Sequence, residues 1–150
     1  MLEDASEFFA LKMMRKDLVE NIDLDIVLAK DLAKKEGITG SIYGYCNILD
    51  DRLSRPREFQ IELCTSKRIT KVLLTLAHEM THLKQFARCQ LRNFENGSTT
   101  WCGKTFGSKK EKKIGHYNLP WEDEAYTQEL ELFVDLVNTT DILDDYIDKR

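Results

Sequence analysis

Hydrophobic positions in the first quarter of the chain return every three or four residues. Phe8, Phe9, Leu11, Leu18, Ile22, Ile26 and Leu32 predict helix over residues 3–36, and Gly37 supplies a stop. The acid-rich run NIDLD at 21–25 could divide this segment into two helices. From Gly40 the texture changes. GSIYGYCNIL is rich in β-branched, aromatic and glycine residues, and FQIELC alternates Phe59, Ile61 and Leu63 with Gln60 and Glu62. Separated by the turn-like DDRLSRPRE, these runs predict two antiparallel strands with one buried face. Residues 66–91 carry the longest helical signal, with Ile69, Val72, Leu73, Leu76, Met80, Leu83 and Ala87 on one stripe. The polar stretch NFENGSTT leads into a short strand-like run, TTWCGKTFG. LPWEDEAYTQELELFVDLV then predicts a last helix, opened by Pro120 with acids in its first turn. Helix, strands, helix, strand, helix is an α+β order, not a βαβ repeat.

Composition narrows the picture. The chain has 150 residues, 42% hydrophobic and 32% charged, which suits one compact domain over 1–150 with a helical N-terminal segment at about 1–37. A net charge of −4 offers no global basic surface, so no nucleic-acid partner is expected. The basic run KKEKK at 109–113 reads as a solvated loop. The N-terminus lacks the charge pattern of a signal peptide, and no apolar run approaches the roughly 18 residues needed to span a bilayer. The expectation is a cytoplasmic protein with no membrane partner. Cys46, Cys64, Cys89 and Cys102 form no CxxC pair, so reduced thiols are expected.

One stretch departs from ordinary amphipathic patterning. TLAHEMTHLKQF, residues 75–86, holds two of the chain's three histidines four apart, with Glu79 beside the first. At 100° per residue, His78, His82 and Gln85 fall opposite the apolar stripe, so the stripe does not explain them. Side chains at i and i+4 sit about 6 Å apart on one face, which lets both imidazoles reach one ion. Random expectation for HExxH in this composition is roughly 0.005 matches. The spacing assigns His78 and His82 to a zinc ion and makes Glu79 the candidate general base on its water. A catalytic zinc site needs a third protein ligand. The candidates are the carboxylates of PWEDEAY and His116 in KKIGHYNLP. His116 and Tyr117 are also candidate donors to an oxyanion, and the edge of TTWCGKTFG is a candidate seat for an extended peptide.

HEMTHLKQ, followed some forty residues later by LPWEDEAY, resembles the gluzincin branch of zinc metallopeptidases. The likeness is to their smallest members, the minigluzincins and short phage and bacterial zinc-peptidase-like proteins, and it covers about Gly40 to Val137. It implies a zincin-like domain: a small antiparallel or mixed sheet, an active-site helix with HExxH and a C-terminal helix bearing the third ligand. It implies His78, His82 and Glu122 as metal ligands, with Glu124 the alternative third ligand and His116 a lesser one. Glu79 would be the catalytic residue of a zinc-dependent peptidase acting on peptide or protein substrates. The alternative is a zinc-binding regulatory or partner-binding protein on the same fold. Where larger relatives place an Asp or Asn four residues after the ligand glutamate, this chain has Tyr126. Support for a ligand histidine then falls to Tyr126 or to Glu129.

Overall fold

The computed structural model of the chain describes residues 1–35, 37, 42–52 and 54–147. The first helix, α1 (Leu2–Met13), buries Ala5, Phe9 and Ala10 and ends where Met14 turns extended. A short helix, α2 (Lys16–Glu20), follows, and then the first departure from the periodicity reading. Residues 23–29 form a strand, β1 (Asp23–Ala29), and only Leu32–Lys35 (α3) returns to helix. Ile22 and Ile26 satisfy helical spacing, but DLDIVLA also alternates at its start: Asp23 and Asp25 are exposed, while Leu24 and Ile26 are half-buried. Pairing with a neighbouring strand decides between the two periods, and a single sequence does not display that pairing.

The two strands expected downstream form. β2 (Gly44–Ile48) and β3 (Glu58–Cys64) are antiparallel, with Gly44 opposite Leu63 and Ile48 opposite Phe59. β1 joins the other side of β3 in parallel, Asp23 opposite Glu58, giving a mixed sheet of order β1-β3-β2. Gly40 and Ser41 of the expected strand lie outside the described residues. Phe59, Ile61 and Leu63 point from β3 into the core, where α4 (Ile69–Ala87) lays down Leu73, Leu76, Met80 and Leu83. β2 passes close to this helix. A Cβ on Gly44 would stand 2.7 Å from Thr75 Cγ2 and 3.3 Å from Glu79 Cγ, so only glycine lets the backbone come this near.

A second small sheet follows α4: β4 (Leu91–Asn93), β5 (Thr99–Trp101) and β6 (Lys104–Phe106) in an antiparallel meander. The single strand expected across TTWCGKTFG is therefore a hairpin, turning at Cys102 and Gly103, both with positive φ. The expected loop at 109–113 is helical: α5 (Ser108–Ile114) is a solvent-facing run of lysines and a glutamate, good helix formers, stopped by Gly115 at φ 85°. A short 3-10 turn, His116–Asn118, leads to α6 (Pro120–Thr139), opened by Pro120 as expected. α6 packs along α4 and adds Leu132 and Leu136 to the core, and α7 (Asp144–Ile147) closes the described chain. No described helix is long and apolar enough to cross a membrane.

Candidate metal centre

α6 lies over the face of α4 that the apolar stripe leaves free. His78, Glu79 and His82 are consequently buried, 8%, 7% and 9% exposed, rather than set on a solvated helix face. Glu122, in the first turn of α6, reaches across to them. His78 Nε2 and His82 Nε2 lie 3.2 Å apart. Glu122 Oε2 is 3.2 Å from the first and Glu122 Oε1 is 3.3 Å from the second. Ligand atoms at about 2.0–2.1 Å from a tetrahedral ion are separated by about 3.3 Å. The two imidazole nitrogens already stand at that separation, each faces one oxygen of Glu122, and the cluster could hold a metal ion.

The outer nitrogens make that reading chemically consistent. His78 donates Nδ1–H to Glu129 Oε2 at 2.9 Å, and His82 donates Nδ1–H to Gln85 Oε1 at 2.8 Å. The Gln85 amide can only be oriented this way, because its Nε2 donates to the Trp121 carbonyl (2.9 Å) and to Glu124 Oε2 (3.0 Å). With Nδ1 carrying the proton on both rings, both Nε2 lone pairs converge on the Glu122 carboxylate. Three acceptors facing one another need a cation, either a proton or a metal ion.

The electrostatics of the same groups point the same way. Burial disfavours charge on His78, but its contacts with Glu122 and Glu129 and the field of Glu79 outweigh burial and lift it to about 9. His82 is raised too, against burial, by Glu122, Glu79 and Gln85. Burial pushes Glu122 up, yet its imidazole neighbours pull it down to about 2. Second-layer carboxylates that raise ligand basicity are a recurring feature of histidine metal sites.

Glu79 is placed differently from the cluster residues. Its carboxylate lines the cleft and accepts no hydrogen bond among the described residues. Burial raises its pKa, and the fields of His82 and His78 oppose that rise. Cys46, across from it on β2, is held well above the ordinary thiol range by burial and by Glu79. All four cysteines are free.

Of the alternative third ligands, Glu124 is engaged elsewhere, hydrogen-bonded by Gln85 and ion-paired with buried Lys84. His116 is largely exposed, with Nε2 3.5 Å from Glu122 Oε2, and it sits at the rim beside the exposed Tyr117. Tyr126 packs its ring on His78 at 4.6 Å, and Tyr117 stacks on Tyr126 at 5.4 Å. Glu129, not the Tyr126 hydroxyl, makes the hydrogen bond to His78. Gln85 was visible in the sequence on the histidine face, but its role was not. Its signal was position, three residues after His82 on the same side of the helix.

The cluster opens on a cleft of about 610 Å³. One wall is β2, from Gly44 to Asn47, and the other comprises His116, Tyr117 and Tyr126. Residues 99–107 do not line it; the strands that do are β2 and, at Leu91 and Asn93, β4, so the expected seat along TTWCGKTFG lies off the cleft. None of residues 1–35 lines it either; α1 packs on α4 away from the opening. No protein-family model, curated protein or solved structure matches the chain.

Proposed function

We propose that this chain is a zinc-dependent peptidase of the gluzincin type. The observation that carries the reading is the pairing of a converging His78, His82 and Glu122 cluster with a buried glutamate, one residue from the first histidine, that accepts no hydrogen bond among the described residues. A site built only to hold an ion has no use for Glu79 in that state. His78, His82 and Glu122 would hold the ion, with Glu129 and Gln85 fixing the ring orientations. When bound, zinc supplies a Lewis acid that polarises a carbonyl oxygen and lowers the pKa of water toward 7.

The remaining work belongs to the protein. An extended peptide adds along the outer edge of β2, where main-chain hydrogen bonds hold it in register across the cleft. Glu79 takes the proton from water attacking the scissile carbonyl and delivers it to the departing amine nitrogen. Its raised pKa suits both halves of that transfer. His116 and Tyr117, exposed at the opposite rim, are the side chains available to donate to the developing oxyanion.

Digestion of a defined peptide mixture, followed by mass spectrometry, tests this reading. Metal-loaded wild type should cleave peptides and lose that activity with chelator. Glu79→Gln should keep its metal and lose at least about 100-fold in rate, the scale of general-base catalysis. Undiminished cleavage by metal-loaded Glu79→Gln would remove Glu79 from the mechanism.

A further inference from the structure

One end of the cleft carries charge that neither the metal cluster nor the fold uses. Lys71, in the first turn of α4, lines the cleft together with Tyr43, the residue before β2. Lys71 Nζ stands 4.8 Å from the centre of the Tyr43 ring, and Lys67 Nζ stands 5.5 Å from the same ring. Neither ammonium has a carboxylate partner among the described residues. Nor does the helix gain from them. α4 has no acid in its first turn and no side-chain cap, and lysine there opposes the helix dipole. Two cations held on one ring that lines the cleft, at a local cost, are arranged for something that enters it.

Building on the peptidase reading, we propose that Lys67 and Lys71 select peptides bearing a carboxylate on the C-terminal side of the cleaved bond. The direction follows from β2. A peptide pairing antiparallel with it, the more stable ladder, runs from the Ile48 end toward Tyr43. Its C-terminal half therefore meets the lysines. Distance sets the position. Lys71 precedes His78 by seven residues, about 10 Å of helix, and an extended chain covers that in about three residues. The carboxylate belongs two to four residues beyond the cut. It can be an Asp or Glu side chain or the free C-terminus of the peptide, and both present the same group to the ammonium pair.

The test maps cleavage sites in a randomised peptide library with metal-loaded wild type and with the double variant Lys67→Glu, Lys71→Glu. Acids in the first turn suit a helix N-terminus, so the variant should fold at least as well as wild type. Wild type should favour Asp or Glu at that position by roughly threefold to tenfold in kcat/KM, carried by KM and fading in high salt. The variant should lose that preference and favour Lys or Arg. For one well-cleaved sequence, Glu→Gln and acid-to-amide versions distinguish side chain from terminus; a loss in either supports the proposal. Cleavage with no charge preference, or a preference the double variant keeps, overturns this inference and leaves the peptidase reading standing. No cleavage of any peptide by metal-loaded wild type overturns both.

Discussion

Glu122 and Glu124 stand two positions apart at the start of one helix, and their surroundings give them opposite work. Glu122 faces two imidazoles with both oxygens, while Glu124 neutralises the buried Lys84. Removing Glu122 takes away an acceptor from the cluster; removing Glu124 leaves an unpaired buried cation. Glu122→Gln should therefore abolish stoichiometric metal binding. Glu124→Gln should retain metal but lower stability by about 1–3 kcal/mol. Metal analysis beside thermal denaturation of the two variants separates these effects, and the reverse pattern would exchange their roles. Glu129 acts one layer out, through His78. Glu129→Ala should weaken metal affinity by about 10–100-fold, measured by competition with a chromogenic chelator, while the chain still folds. This layer was only partly readable in the sequence. The HExxH spacing brings two histidines and a glutamate together by helix geometry alone. Glu129 and Gln85 acquire their roles from how α6 crosses α4, which no local pattern encodes.

Between elements, the close contact that matters is β2 against α4. Gly44 lies within reach of Thr75 and Glu79, so β2 can run beside the cleft floor and leave its outer edge to the opening. Gly44→Ala should force the strand outward or strain the helix, at about 1–3 kcal/mol and with a larger loss of peptide cleavage than of metal. Measurements of unfolding, metal content and peptide cleavage check this; a variant indistinguishable from wild type would mean the gap can relax. Elements with one strong period were legible. α4 shows a clear stripe and β3 a clear alternation, while Pro120 and the acids after it mark the start of α6. β1 was not, because its apolar residues fit both periods and parallel pairing with β3 made the choice. The lysine run of α5 has no apolar face to display, so its helix was invisible to a pattern search although its propensity favours one.

Over the whole molecule, the core and the cluster cleft divide the chain's work. Core residues Phe9, Phe59, Leu76, Met80 and Leu136 join α1, the mixed sheet, α4 and α6. The cluster ties α4 to α6 a second time, through residues that repel unless a cation sits among them. Metal binding should therefore stabilise the fold by mass action, raising Tm as free metal increases above its Kd. Leu76→Ala, in the core, should cost about 2–5 kcal/mol with or without metal, because it leaves the cluster residues in place. A metal-dependent cost for Leu76→Ala would instead show that core and cluster form one cooperative unit.

The most direct test is the metal content of protein purified without an affinity tag or chelator, measured by plasma mass spectrometry for wild type and His82→Ala. About one zinc per wild-type chain and essentially none in the variant is the expected result. Folded wild type with no zinc, or equal zinc in both proteins, would contradict it.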